Sequence, residues 1–492
     1  MTLPRLSAAL LAAVPPSPKV ARPGYDRAAL RPAIVHLGLG AFFRAHGVLY
    51  TEDVLNLQGG DWGVIGVSLQ RPDQRDRLAP QDGLYTTMER GPAGLHARIV
   101  GALLGVLVAP EDPAAVLARL ADAQTRIVSL TVTEKGYCHD PASGRLRLDH
   151  ADIAHDLAQP DAPRSAVGFL AHALSRRRAA GIAPFTVLCC DNLPHNGALL
   201  AGLVQEFCRV QDGDLADWVA REVRFPSTMV DRIVPALAEA DHAAAEAATG
   251  FADAAPVGHE PFRQWVVEDR FGPLGRPAWE SVGAQLTHDV APFEHMKLRL
   301  LNGAHSALAY LGYLAGHQTI VEAVQDPVLR GYLQRFWAEA RPMVPPPPGQ
   351  DLGDYTDALL ERFANPAIRH RTWQIAMDGS QKLPQRLLAT ARERLAAGLP
   401  IPAIALAVAA WARYVGGVDE AGTPIDVRDP MAAELRAALN AAGEDPAARI
   451  AALLRLTEVF GQDLPGMPRF VAAVTEAYRA LLQDGARAAA AH

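Results

Sequence analysis

Ala33-Ile-Val-His-Leu37 runs directly into Gly38-Leu-Gly-Ala-Phe-Phe-Arg-Ala-His46, and the reading of this junction decides the fold. The apolar run is a short strand, the two glycines make a tight turn, and the amphipathic segment that continues to about Leu57 is a helix. Strand, turn and helix in that order open a dinucleotide-binding unit, in which the first glycine permits the turn and the second lets the backbone approach a pyrophosphate. The third position of that fingerprint is Phe43, not glycine. Further strands are expected at Trp62 to Ser68, Arg126 to Val132 and Phe185 to Cys190, with helical stretches at Pro113 to Ala123 and Ser165 to Ala180. Such alternation predicts an α/β fold with a parallel sheet covered on both faces. From about Phe293 leucine and alanine recur at helix spacing, in Leu298 to Ala315, Ile320 to Ala340, Gln385 to Ala397 and Ala432 to Ala442. The expected organisation is a Rossmann-type domain over residues 1–287 and a mostly α-helical domain over residues 288–492.

A chain of 492 residues with 49% hydrophobic and 21% charged residues can bury a large core. Its formal charge of -7 argues against a nucleic-acid partner, because phosphate backbones reward clustered Lys and Arg. Cys138, Cys189, Cys190 and Cys208 show no CxxC spacing, so no structural zinc site and no disulfide framework is expected, and a reducing cytoplasm fits. Ala8 to Val14 follows Arg5 like a short signal segment but runs into Pro15-Pro16 without a cleavage site. No apolar run is long enough for a bilayer; the stretch from Ile401 to Ala412 contains Pro402 and stops at Arg413.

In a parallel sheet, chemistry collects at the carboxyl ends of the strands. The cofactor turn is assigned to Gly38, Gly40, Ala41, Phe43 and Arg44. After the second strand comes Leu69-Gln-Arg-Pro-Asp73. Arg71 there suits the 2′-phosphate of NADP, whereas Gln70 or Asp73 suits the free hydroxyl of NAD; the alternative is that Arg71 caps a surface turn. The third strand ends in Thr131-Val-Thr-Glu-Lys-Gly-Tyr-Cys138, which brings Thr133 and Glu134 to the cofactor and Lys135 near a substrate carboxylate, or into solvent. The fourth ends in Leu188-Cys-Cys-Asp-Asn-Leu-Pro-His-Asn-Gly197, where Asn192 either donates to a substrate oxygen or, with Asp191, caps the next helix.

Lys297-Leu-Arg-Leu-Leu-Asn-Gly-Ala-His305 carries an amine, an amide and an imidazole. On an α-helix Asn302 and His305 lie roughly 140° and 80° around the axis from Lys297, so one broad face holds all three. A lysine that exchanges a proton beside neutral donors suits carbonyl/alcohol interconversion without a metal. No tyrosine has a lysine four residues later, which excludes the short-chain dehydrogenase design, and His295, His305 and His317 have no thiolate neighbours in sequence for a zinc-dependent one.

These residues closely resemble the polyol-specific long-chain dehydrogenase/reductase family, also called the mannitol dehydrogenase family, whose Lys-x4-Asn-x2-His signature is met by Lys297, Asn302 and His305. Further blocks resemble its D-mannonate oxidoreductase branch: Ile34 to His46, Thr131 to Cys138, Phe225 to Pro235, Glu260 to Asp269 and Arg369 to Pro384. The resemblance implies a substrate cleft between the two domains, Lys297 as general acid/base, Asn192 and Asn302 holding the reacting oxygen, and His305 orienting substrate and lysine. Burial is then expected to tune Lys297 toward the working pH. It also implies substrate-pocket roles for Asp231 and Lys382; Arg371 and Lys382 are candidate carboxylate partners in the helical half. Phe42-Phe43 stands where relatives commonly have Phe-His. D-Fructuronate reduction to D-mannonate with NAD(H) is the favoured expectation, oxidation of mannitol or arabinitol the alternative, and the resemblance implies a monomer.

Overall fold

The computed structural model describes residues 3–13, 20–140, 143–368 and 370–492; Val14, Pro15, Pro16 and Arg369 of the stretches above lie outside them. The chain forms two compact units, Met1–Ala291 and Pro292–His492.

The first unit is built on five strands: β1 (Arg31–Leu37), β2 (Trp62–Ser68), β3 (Leu103–Val108), β4 (Ile127–Leu130) and β5 (Thr186–Cys189). Their order is β3-β2-β1-β4-β5 and every neighbouring pair is parallel. β3 has no counterpart in the sequence reading. Because side chains alternate across a strand, β1 serves two cores. Val35 and Leu37, with Val128, Leu130 and Val187, pack against helices α3 (Pro113–Ala121), α5 (Ala166–Ala179) and α6 (Asn196–Gln211). Ile34, Val64, Ile127 and Leu188 face the other way. There they meet α2 (Gly47–Gln58) and β7 (Gln264–Glu268), which lies in a three-stranded sheet between β6 (Thr228–Asp231) and β8 (Gln285–Thr287). One face is thus covered partly by strands. Each fully buried Val, Leu or Ile contributes about 1.5–3 kcal/mol, so these two cores dominate the unit's stability.

The helix expected as one piece after the glycine turn is two. α1 (Ala41–Ala45) ends at His46, whose φ of -129° and ψ of -86° break the ladder, and α2 starts at Gly47. α4 (Ala151–Ala158) lies between β4 and α5 in sequence. Strand order reverses between β1 and β4, and in open α/β sheets such a switch point opens the crevice where ligands bind.

The second unit is helical. After α7 (Ala291–Met296), residues Lys297–Asn302 form a π-helical segment that passes into α8 (Gly303–Leu314). All of α8 except Tyr313 is buried, as befits a helix with apolar residues on every side. It packs against Pro402–Tyr414 and Thr372–Ala376. A second π segment, Pro384–Leu388, packs against the first. Its start at Pro384 explains the widening, since proline lacks the N–H an α-helix needs there and crowds the preceding turn. Among the described residues no helix is long and apolar enough to cross a membrane.

Candidate active site

The crevice of the first unit begins at Gly38. Its φ is +89°, and a Cβ there would stand 2.2 Å from the Thr131 carbonyl oxygen, so only glycine fits. At Gly40 the added Cβ would meet nothing closer than the Gly38 oxygen at 3.9 Å. The open space over Gly40 is what a close-approaching pyrophosphate requires.

Phe43 stacks on His36 of β1, with ring centroids 3.3 Å apart and planes 2° from parallel. Where the usual third glycine lets helix and strand approach, an aromatic pair fills the gap. His36 itself is fully buried, its Nδ1 2.9 Å from Ser129 Oγ and its Nε2 2.8 Å from Thr131 Oγ1, and burial holds it neutral by pushing its pKa well below the usual value. Arg44, assigned to the cofactor from sequence, instead turns into the interior, where Nη1 donates to the Ala255 carbonyl at 2.6 Å and the guanidinium lies over Tyr85.

A cavity of about 1070 Å³ opens at the carboxyl ends of β1, β2 and β4, lined by Gly38, Gln70, Arg71, Asp73, Thr133 and Lys135 among others. Gly40, Ala41, Phe43 and Arg44 are not among the residues that line it. The side chain of Glu134 lies outside what is described. Thr133 has a φ of +64°, a conformation non-glycine residues rarely adopt. What holds it is Asp191, whose carboxylate accepts from the backbone N–H of Val132 (2.9 Å) and Thr133 (3.0 Å) and from the Tyr137 hydroxyl (2.6 Å). Asp191 is therefore a clamp on the end of β4 and not a helix cap; α6 starts at His195 with no side-chain cap. Asn192 beside it is exposed, and Asp231 is buried at the end of β6.

In the second unit Lys297, Asn302 and His305 are 6%, 7% and 7% exposed, so none of the three is a surface side chain. The α-helical placement expected for them needs correction. In a π segment hydrogen bonds close from i to i+5, which brings the residue five positions on, Asn302, closer to the line of Lys297 than an α-helix would. No proline or glycine within Lys297–Asn302 causes the widening; tertiary anchors hold it. Trp337 Nε1 donates to the Leu300 carbonyl at 2.9 Å, and Arg299 makes a two-pronged pair with Glu393 at 2.5 and 2.6 Å. Gly303 completes the arrangement, because a Cβ there would lie 2.8 Å from the Arg386 carbonyl oxygen of the second π segment.

Asn302 Nδ2 and His305 Nε2 are buried and make no hydrogen bond among the described residues. Such groups cost about 1–3 kcal/mol each when left unsatisfied, a cost that a ligand hydrogen-bonding to them would remove. His305 stacks on Phe363 at 5.1 Å and meets His370 edge-on at 4.9 Å. Its pKa is pushed well below the usual value, first by burial and then by His370, Arg386, Arg362 and Lys382. Lys382 Nζ donates to the Ile375 and Met377 carbonyls (3.3 and 2.5 Å), while Arg371 is exposed at the start of Thr372–Ala376.

Sequence reasoning did not single out His370, Arg386, Arg362 or Phe363. His370 and Arg386 sit in or just after a quoted block, where the signal was adjacency to Arg371 and Lys382. His370 has a checkable consequence. Burial and then Lys382 push its pKa down to about 4, from about 6.5 in an unfolded chain. Between those values the unfolded chain binds a proton that the folded chain refuses, so stability falls as pH drops from about 6.5 toward 4. Urea unfolding of His370→Gln is expected to show a flatter pH dependence in that window than wild type, and an unchanged slope would refute the assignment.

A five-stranded parallel sheet with a glycine turn at its switch point, and a buried amine, amide and imidazole on a helical unit, define a dehydrogenase of the Rossmann type. The chain belongs to the mannitol dehydrogenase family: residues 32–281 match the mannitol dehydrogenase Rossmann domain and residues 289–482 the mannitol dehydrogenase C-terminal domain. It is 48% identical to D-mannonate oxidoreductase of Escherichia coli over 473 residues, 95% of this chain and 97% of that one. With a mannitol 2-dehydrogenase of Aspergillus fumigatus it shares 41% identity, over 94% of this chain and 93% of that one. The structure of Pseudomonas fluorescens mannitol 2-dehydrogenase in ternary complex with NAD and D-mannitol superposes with a TM-score of 0.92 at 40% identity, covering 99% of this chain and 98% of that one.

Proposed function

We propose that the chain interconverts D-fructuronate and D-mannonate with NAD(H). The observation that carries the choice of a sugar acid is the positive surround of His305, where Arg386, Arg362 and Lys382 all raise the cost of a proton on its buried ring. A substrate carboxylate is the charge that this surround favours. The 48% identity to D-mannonate oxidoreductase supports the same reading. Lys135, on the wall of the crevice, and Arg371, exposed, are then secondary candidates for the carboxylate.

NAD(H) supplies the hydride, and Gly38, Gly40, Gln70, Arg71 and Thr133 are the residues proposed to hold it. In the reductive direction the keto carbon gains hydride and its oxygen gains negative charge. Asn302 Nδ2, with Asn192 as the second amide, donates to that oxygen, and donors fixed before the reaction stabilise such charge most where water is excluded. Lys297 gives the oxygen its proton and, as the amine, removes it in the reverse direction. His305, held neutral, offers one donor and one acceptor to neighbouring hydroxyls. Asp231 and Lys382 shape the substrate pocket.

Following NADH and NADPH oxidation with fructuronate, tagaturonate, fructose and xylulose tests the proposal. Fructuronate with NADH is expected to give the highest kcat/KM. Turnover of neutral ketoses alone would replace it with a polyol 2-dehydrogenase; the Aspergillus and Pseudomonas relatives are named mannitol 2-dehydrogenases.

A further inference from the structure

The wall of the crevice carries a cluster that no sequence spacing displays. Cys138, His150 and Asp152 each offer one ligand atom, and the three atoms all lie within 4.8 Å of one another. We propose that they form a site for a thiophilic divalent cation of the zinc class, and that its occupation hinders dinucleotide binding in the crevice.

The ligand set is chemically matched: a thiolate, an imidazole and a carboxylate are the donors zinc takes, and three protein ligands leave a fourth position open. Donor atoms on one tetrahedral zinc stand about 3.5 Å apart, so contraction by about 1 Å completes the site. Each ligand is held in place. Cys138 sits in a left-handed conformation with φ of +51°, fixed by its carbonyl accepting from the Arg147 N–H at 3.0 Å. His150 precedes α4, and its Nδ1 accepts from the Asp152 N–H at 3.2 Å and lies 3.9 Å from the Asp152 carboxylate. The lone pair of Nδ1 therefore already points toward Asp152, and the ion takes it in exchange for one long hydrogen bond.

The charge around the thiol supports the same conclusion. The acidic groups facing the Cys138 thiol are Asp152 and Asp156, and Arg147 is the cation on its other side. Asp156 is engaged by the Arg164 and Ser165 N–H groups and lies beside His155; Arg147 pairs with Asp149. A cation relieves the repulsion between these carboxylates and the thiolate, and the start of the α4 dipole nearby opposes it. Binding replaces the S–H bond by an S–metal bond and releases one proton per ion, so affinity rises with pH. All three residues line the cavity that also contains Gly38 and Arg71, so the fourth ligand projects into space the dinucleotide needs. This last step rests on the cofactor assignment of the proposed function; the metal site itself does not.

Cobalt(II) added to the full-length, chelator-treated protein provides the probe. Wild type is expected to develop a thiolate-to-cobalt charge-transfer band saturating at one ion per chain, with one proton released. Cys138→Ser should abolish the band, while His150→Gln and Asp152→Asn should each weaken binding at least about 100-fold, more than the loss of a ligand's hydrogen-bond partner typically costs. Thermal melts of the three variants confirm that they fold. Zinc should raise the apparent KM for NADH in wild type and not in Cys138→Ser. No band, or one retained in Cys138→Ser, overturns the site; a band with NADH kinetics indifferent to zinc overturns its coupling to the crevice, whichever sugar proves to be the substrate.

Discussion

Lys297→Ala is expected to lower kcat for NADH-dependent reduction by about 10²–10⁴-fold, the range that a positioned general acid or base contributes. The effect should fall on kcat, with KM for the ketose changed only a few-fold, because in the proposed roles the amides and His305 bind the substrate. Folding should survive. The π segment is anchored on its other side by Arg299 with Glu393 and by Trp337 with the Leu300 carbonyl, none of which involves the amine. Removing a polar head group that is only 6% exposed also removes the cost of burying it, which offsets part of the packing lost with its methylene stem. Single-turnover mixing of the variant with NADH and ketose separates a slow chemical step from slow release. Small primary amines added to the buffer should restore part of the rate if the defect is proton transfer. A variant that turns over at near wild-type rate would remove Lys297 from the mechanism and leave the buried amide and imidazole without a proton carrier.

Some of this was legible from residues alone and some was not. The junction at Gly38 could be read because a doubly covered strand is a continuous apolar run and a glycine held at positive φ follows it, both local signals. β3 was missed because it lies at the sheet edge in a run that continues from Ile99, where a hairpin strand, Gly94–Val100, ends almost at once in the next strand. Phe43 showed as a departure from the fingerprint, but its stack on His36 depends on a histidine seven residues earlier pointing across the sheet. The Lys-Asn-His spacing announced a shared face. It did not announce the π geometry, which is set by Trp337, Glu393 and the Arg386 backbone, partners 37, 94 and 83 positions from their contacts. The same reasoning explains why the surroundings of Arg44 and Asp191 could not be read locally: each side chain's partner, Ala255 in one case and Val132 with Thr133 in the other, is 211 or about 60 residues away. Local pattern specifies elements, and distant partners specify which way their side chains work.

Gly38→Ala and Gly40→Ala together should separate what the turn does for the fold from what it does for the cofactor. At Gly38 the new methyl group would lie 2.2 Å from the Thr131 carbonyl oxygen, far inside contact distance, on a residue with φ of +89°. Backbone conformations of that kind cost a non-glycine residue about 1–3 kcal/mol before any clash is counted. The clash cannot relax cheaply, because Gly38 N donates to Val67 O at 2.9 Å, Thr131 N to Leu37 O at 3.0 Å and Thr131 Oγ1 to Gly38 O at 3.0 Å. These bonds tie β1 to β2 and β4 at the switch point itself, so moving Thr131 away also spoils the strand end that carries Thr133. Gly38→Ala is therefore expected to lower the melting temperature by several degrees and to weaken NADH binding at least about 100-fold, as the loss of a few kcal/mol dictates. Gly40→Ala differs: with φ of -121° and no atom nearer than 3.9 Å, the methyl group costs the free protein almost nothing. Its melting temperature should match wild type within a degree or so, yet NADH affinity measured by fluorescence titration should fall about 10-fold or more, because only the bound pyrophosphate would meet the new carbon. If Gly40→Ala bound NADH as wild type does, the dinucleotide would not cross this turn, and the crevice at the ends of β1, β2 and β4 would need another ligand.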